Sequence, residues 1–192
     1  MEYRNLGKSG LKVSEFSFGS WVTFVNQLNE KDAMNCMAYA YDKGVNFFDN
    51  AEAYAHGKSE TLMGNIFKKL KWERDTYIVS SKVFWGGKFP TQKGLSKKHI
   101  HDACNAALMR LNVDYLDLFF CHRSDPETPI LESVYAMNDL LQQGKIMYWG
   151  TSEWSAKEIN EAFLCAKKYN LRGPTMEQPQ YNILCRDRFE NE

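Results

Sequence analysis

Short apolar runs alternate with helix-patterned stretches along nearly the whole chain, and that alternation constrains the fold more than any other feature. The runs fall at 16–21, 47–49, 77–82, 115–122, 146–152 and 175–178. Between them, apolar residues recur at helical spacing. Ala33, Met37, Ala40 and Tyr41 mark a helix over 31–42, started by Asn29 and Glu30 and ended by Gly44. Leu62, Met63 and Ile66 mark one over 59–70, with Ser59 as its cap. Ile100, Ala103, Ala107 and Leu111 follow Ser96, helix 130–142 closes at Gly144, and Ser155 caps a helix to about 168. Strands separated by helices form parallel sheets, and strands buried on both faces need not alternate in polarity. Ahead of this pattern, Gly7-Lys8-Ser9-Gly10 joins two short extended pieces as a hairpin.

Two architectures fit: a doubly wound open sheet and a (β/α) barrel. The glycine fingerprint of a dinucleotide-binding open sheet is missing after the first run. The barrel is favoured because functional-looking residues end several different strands. No linker, charge block or low-complexity segment divides the chain, so residues 1–192 read as one domain.

Charge narrows the partners. Basic and acidic side chains number 24 each, for a net charge of +0. Nucleic acid is excluded as the main partner, since phosphate contacts require a basic excess. The cysteines (Cys36, Cys104, Cys121, Cys165, Cys185) are widely spaced, with no zinc-binding pattern, and read as reduced thiols of a cytoplasmic protein. No apolar run approaches the ~18 residues of a membrane span, and Met1-Glu2-Tyr3-Arg4-Asn5 lacks the apolar core of a signal peptide.

The strand ends carry the chemistry. Asp49 closes the run Phe47-Phe48, and Tyr54 lies in the loop five residues on. Lys82, His122, Ser152 and Gln178 end the later runs. Brought to one mouth, this set suits hydride transfer to a carbonyl, whose oxygen needs a proton as the hydride arrives. Tyr54 is the candidate acid. A nearby Lys82 ammonium would favour the ionised tyrosine, and Asp49 would keep that ammonium charged. His122 is placed to hydrogen-bond the developing oxyanion. No side chain here supplies a hydride, so a nicotinamide cofactor is required, with Ser152 and Gln178 as candidate partners of its carboxamide.

Each residue also has a purely structural reading. Asp49 can cap a turn, Lys82 can be a solvated strand-end lysine, and His122 can be a satisfied half-buried histidine. Tyr54 and Trp21 can be packing residues, and Ser152 and Gln178 ordinary loop polars. The joint occurrence tips the balance, since structural roles do not require every strand to end this way.

The same residues resemble the aldo-keto reductase superfamily. Phe48-Asp49-Asn50-Ala51-Glu52-Ala53-Tyr54 matches its Asp…Tyr signature, Lys82 and His122 its other catalytic positions, and Gly150-Thr151-Ser152 and Glu177-Gln178 its carboxamide-binding positions. Residues 3–11, Trp21-Val22-Thr23-Phe24, Phe84-Trp85-Gly86-Gly87-Lys88 and residues 147–152 resemble its voltage-gated potassium channel β-subunit branch. The resemblance implies a (β/α)8 barrel of the TIM type, bound NADP(H), and slow reduction of small aldehydes and ketones. By position, Ser20, Trp21 and Gln27 would also approach the cofactor, alongside Asp49.

Two departures accompany it. The channel-subunit branch tends to carry Asn where this chain has His122, and histidine there is commoner among reductases. The long N-terminal extension of some channel subunits is not seen either. A full barrel typically needs ~250 residues, and only about six of the eight βα units are expected here. The loops that grip the cofactor's phosphates in the family follow later strands. The chain is therefore expected to be a C-terminally incomplete barrel. Three functions stay open: an NADPH-dependent carbonyl reductase, a regulatory subunit docking on a channel's cytoplasmic domain, or an inactive truncated product. A homo-oligomer is also compatible.

Overall fold

Two antiparallel strands open the chain. β1 (Tyr3–Asn5) and β2 (Lys12–Ser14) pair with Tyr3 opposite Ser14 and Asn5 opposite Lys12. This is the hairpin expected around Gly7–Gly10. The computed structural model describes all of residues 1–192.

The alternation then unfolds as expected. β3 (Phe18–Gly19), α1 (Glu30–Asp42), β4 (Phe47–Asp49), α2 (Lys58–Leu70) and β5 (Ile78–Val83) come first. α3 (Lys97–Leu111), β6 (Leu116–Cys121), α4 (Ile130–Gln142), β7 (Ile146–Thr151), α5 (Ala156–Lys168), β8 (Met176–Glu177) and the short α6 (Asp187–Asn191) follow. Strands β3 to β8 form one six-stranded sheet in sequence order, every neighbouring pair parallel. A doubly wound sheet would permute that order around a switch point. Sequential order is the winding of a barrel, and the curled sheet is a half-barrel of the TIM type.

Successive residues of a strand face opposite sides of the sheet. On β5, Val79 and Val83 point outward into a cluster of 28 buried residues that the helices cover. Ile78 points inward and meets Leu118 and Phe120 of β6. The hairpin covers this small inner cluster: Leu6, Leu11 and Val13 pack on it. Asn46, just before β4, fastens the hairpin there. Its Oδ1 accepts from the Ser14 backbone N–H at 2.8 Å, and its Nδ2 donates to the Lys12 carbonyl at 3.1 Å. The hairpin thus closes the end where the strands begin, leaving the end where they finish for chemistry.

Local signals explain most boundaries. Asn29 caps α1, its side chain accepting from the Asp32 N–H at 3.0 Å. Ser96 caps α3 through the His99 N–H, and Ser155 forms a capping box with Glu158 at α5. Gly44 sits at φ +91°, where a Cβ would strike the Met1 side chain at 2.9 Å, so the exit from α1 requires glycine. Ser59 departs from expectation. Helix α2 begins one residue earlier behind Gly57 (φ 81°), and the Ser59 hydroxyl is buried inside the helix without a partner.

The edge strands β3 and β8 span two residues each, shorter than the 16–21 and 175–178 read from sequence. β8 approaches β7 so closely that a Cβ on Gly150 would lie 2.4 Å from the Met176 carbonyl oxygen.

Candidate active site

The parallel register carries the expected residues to one end of the sheet. Gly19 lies beside Asp49 across β3 and β4, Lys82 beside Phe120 across β5 and β6, and Cys121 beside Thr151 across β6 and β7. Asp49 closes β4, and Lys82 is the last residue but one of β5. His122 directly follows β6, Ser152 follows β7 and Gln178 follows β8.

Lys82 is the centre. It is 1% exposed, so the reading of a solvated lysine is set aside. An ammonium has three hydrogens to place, and Lys82 Nζ finds three acceptors: Asp49 Oδ2 at 2.6 Å, the Asn50 carbonyl at 2.8 Å and the Tyr54 hydroxyl at 3.2 Å. Because the Tyr54 oxygen accepts from lysine, its own proton stays uncommitted. Asp49 is likewise engaged in the cluster rather than in capping its turn. Its Oδ1 accepts from Ser80 Oγ at 2.7 Å, and its carbonyl accepts from Ser20 Oγ at 3.0 Å. The bond to the turn belongs to Asn50, whose Oδ1 accepts from the Ala51 N–H at 2.9 Å.

Tyr54 opens a tight turn, Tyr54–Gly57, in which Ala55 (φ 48°), His56 (φ 54°) and Gly57 (φ 81°) are all left-handed. That conformation costs roughly 1–2 kcal/mol per non-glycine residue, and such strain gathers at working sites. Burial pushes the Tyr54 hydroxyl pKa up, against the pull of the Lys82 ammonium. The expectation that lysine lowers it holds for lysine's own influence, but burial outweighs it. The phenol therefore holds its proton firmly at neutral pH.

His122 is 8% exposed, and its Nδ1 is buried without a protein partner, which differs from the satisfied histidine of a purely structural role. An unpartnered buried polar atom is costly and marks a place to look for function. Burial, reinforced by the Lys82 and Arg123 charges, lowers its pKa to about 3. The imidazole is neutral at any ordinary pH. It can hydrogen-bond a carbonyl oxygen but cannot deliver a proton as imidazolium. Its ring meets that of Tyr54 edge to face, with centroids 5.8 Å apart.

The remaining expected residues divide. Ser20 is buried in the cluster. Trp21 is 70% exposed and stacks on Tyr54 at 6.2 Å, so it forms a wall of the mouth and not core. Ser152 Oγ donates to the Gln178 carbonyl at 2.9 Å, which brings those two residues together. Gln27 is exposed, and no side-chain bond ties it to the cluster. The cofactor's carboxamide needs one donor and one acceptor. The Ser152 hydroxyl and the Gln178 amide, which has no side-chain bond of its own, offer both, so these residues would suit the carboxamide of a nicotinamide.

Sequence reasoning missed several neighbours. Ser80 stands two residues before Lys82, hence on the same strand face, a period that pointed to it. Glu52, 5% exposed, accepts from the Phe84 N–H at 2.7 Å and lies 3.4 Å from His99 Nε2, tying the Tyr54 loop to the segment bearing Trp85. Trp85 packs on His122 at 5.1 Å, and Arg123 lies over the Trp85 ring. The sequence carries no pattern that foretells either contact.

Polar groups collected at the C-terminal ends of parallel strands that follow one another in sequence order define a protein of the TIM-barrel class. Comparison with known proteins then gives the family. The chain belongs to the aldo/keto reductase family, whose model matches residues 15–192. It is 53% identical over 192 residues to a "Probable voltage-gated potassium channel subunit beta" of Arabidopsis thaliana, covering 100% of this chain and 58% of the relative. It is 50% identical over 192 residues to a protein of the same description from Oryza sativa subsp. japonica, with the same coverage. A "Putative voltage-gated potassium channel subunit beta" of Schizosaccharomyces pombe is 50% identical over 193 residues, covering 99% of this chain and 56% of the relative. The chain thus spans a little over half the length of these relatives.

Proposed function

We propose that this chain is an NADPH-dependent oxidoreductase that reduces aldehydes and ketones, with Tyr54 as general acid. The observation that carries the reading is the Lys82 ammonium, buried and bonded at once to Asp49 and to the Tyr54 hydroxyl. A reduced nicotinamide, when bound, supplies the hydride. Tyr54 Oη gives its proton to the carbonyl oxygen, and the phenolate left behind is stabilised by Lys82 at hydrogen-bond distance. Asp49 balances the lysine charge and, through Ser80, holds it in place. Neutral His122 orients and polarises the carbonyl without competing as an acid. Ser152 and Gln178 hold the carboxamide, and Trp21 flanks Tyr54 at the mouth.

The test is NADPH oxidation by this chain, and by a version extended through two further βα units, with a panel of simple aldehydes and ketones, followed by loss of the reduced-nicotinamide absorbance. Multiple turnovers are expected of the extended version. No oxidation above background by either, with any carbonyl, overturns the reading.

A second reading is favoured by the relatives described as channel β subunits. In it, the chain docks on the cytoplasmic domain of a voltage-gated potassium channel and keeps the same site as a redox sensor. Co-purification with such a domain, responsive to NADPH, supports it, and failure to bind argues against it. Either role belongs in the cytoplasm, and no helix is long and apolar enough to cross a membrane.

A further inference from the structure

The mouth beside Tyr54 and His122 holds one cation without a counter-charge. Lys82 is balanced by Asp49. Arg4, Arg74, Arg110, Arg186 and Arg188 all pair with carboxylates, and Arg172, also unpaired, lines a groove beside the hairpin, away from this mouth. Arg123, next in the chain to His122 and half-buried, pairs with none. One N–H of its guanidinium donates to the His122 carbonyl at 2.6 Å, and its carbon lies 5.3 Å from the centre of the Trp85 ring. Trp85 in turn packs on the His122 ring. A guanidinium carries five N–H donors, so most of this fork is free while its position is held by an indole and a backbone carbonyl. Its charge is felt at both Tyr54 and His122. Guanidinium matches a carboxylate in a planar, two-point contact, and the flanking indoles of Trp21 and Trp85 suit a flat apolar body.

We propose that Arg123 is a specificity residue that selects carbonyl substrates bearing a carboxylate, the acid group lying on the guanidinium and the flat body between the indoles. The substrate class is thus an oxo-acid with an aromatic or comparably flat linker. This rests on the reductase reading above, but the anion subsite is testable apart from turnover. A free guanidinium half-buried against an indole ring binds an anion more tightly than one in open water, because charge pairing strengthens as water is excluded.

The first experiment needs no cofactor. This chain is titrated with benzoate and with benzamide, isosteres differing in charge, while tryptophan fluorescence is followed. Benzoate should bind roughly tenfold or more tightly than benzamide, the size of a charge-assisted hydrogen bond. Arg123→Met should abolish the difference, and Arg123→Lys should keep part of it. Circular dichroism of both variants separates a lost subsite from a lost fold, and the lysine variant serves if the methionine one does not fold. The second experiment compares 4-carboxybenzaldehyde with benzaldehyde as substrates. The ratio of their kcat/KM values should favour the acid and fall about tenfold in Arg123→Met, through KM.

Equal binding of benzoate and benzamide overturns the subsite. So does an Arg123→Met variant whose two substrates weaken alike, which would make Arg123 a support for His122. Weakened NADPH with unchanged benzoate would also overturn it, assigning the guanidinium to the cofactor instead. If benzoate binds through Arg123 while no aldehyde is reduced, the subsite stands and the reductase reading falls.

Discussion

Ser81 and Lys82 stand side by side on β5 and point to opposite faces of the sheet, and each joins a buried ionic cluster. Inward, Lys82 meets Asp49. Outward, Ser81 Oγ donates to Glu60 Oε1 at 2.6 Å, while Arg110 Nε donates to Glu60 Oε2 at 2.6 Å, joining α2 to α3. Glu60 is 0% exposed, more deeply buried than Asp49 at 9%. Burial and charge pairing therefore do not by themselves separate a candidate catalytic site from a structural clamp. The difference lies in what is left over. Both Glu60 oxygens are occupied, with nothing reactive beyond them. The inner cluster ends in a tyrosine whose proton is free and an imidazole with an unpartnered nitrogen. Its mouth is walled by exposed indole.

Function and stability should then separate between the two clusters. Tyr54→Phe keeps the ring against Trp21 and Lys82 and removes the proton. In a version extended through two further βα units, it should lower kcat by roughly 10²–10⁴, the range of general acid catalysis, while NADPH affinity and thermal stability barely change. Wild-type turnover in this variant would sink the assignment.

Arg110→Met should do the opposite. It leaves Glu60 buried without its partner, and breaking such a pair costs about 3–5 kcal/mol, measured by urea unfolding. Turnover per folded molecule should stay as it was. The pH dependence gives a second check. Burial already raises the Glu60 pKa, against the pull of Arg110, and without that pull it rises further. The folded variant then binds a proton that the unfolded chain releases above its ordinary carboxylate pKa. Its stability deficit should therefore shrink as pH falls toward the carboxylate range. A loss of kcat in place of stability would break the comparison.

His122→Asn tests the mouth. The fold keeps His122 neutral down to about pH 3, whereas the unfolded chain takes up its proton near the ordinary histidine value. Between those limits the unfolded state binds the extra proton, so wild-type stability falls as pH falls. The asparagine variant lacks this loss. Between pH 6 and 5 the two should diverge by roughly 1.4 kcal/mol per pH unit, with wild type the steeper. Parallel curves would mean that His122 is solvated in the folded protein. The variant should also reduce carbonyls more slowly while remaining folded, since Asn offers a weaker polarising contact.

The fold was legible wherever periodicity carried it. The helix faces Ala33–Met37 and Ile100–Leu111, and the caps Asn29, Ser96 and Ser155, depend on neighbours within one or two turns of the same helix. The site was legible as a set of strand ends, because parallel strands deliver their C-terminal residues to one place. What stayed hidden depended on tertiary contacts or unusual backbone. The three left-handed residues after Tyr54 lie ahead of a helix that begins before the expected cap at Ser59, and alanine is rare in that conformation. The balance between burial and Lys82 at Tyr54 needs three-dimensional surroundings to decide. Arg123 looked like any loop arginine until its lack of a carboxylate partner could be seen.

Ser152 lies between the two kinds of cluster and gives the finest test. Its hydroxyl donates to the Gln178 carbonyl at 2.9 Å, and its N–H donates to the Cys121 carbonyl at 3.0 Å, so it fastens the edge strand β8 to the sheet. As a fastener alone, Ser152→Ala should cost about 0.5–1.5 kcal/mol, the net worth of one neutral hydrogen bond. As a partner of the nicotinamide carboxamide, the same substitution should also raise the Kd for NADPH by roughly three- to tenfold. A loosened β8 could weaken the cofactor indirectly, so the 3-acetylpyridine analogue of NADPH, which keeps the carbonyl but lacks the amide N–H groups that the Ser152 hydroxyl is free to accept from, is the control. The carboxamide role requires the NADPH Kd to rise while the Kd of the control does not. If both rise together, Ser152 acts by holding the strand and belongs with Glu60 and Arg110. If neither moves and only stability drops, the carboxamide must rest on Gln178 alone.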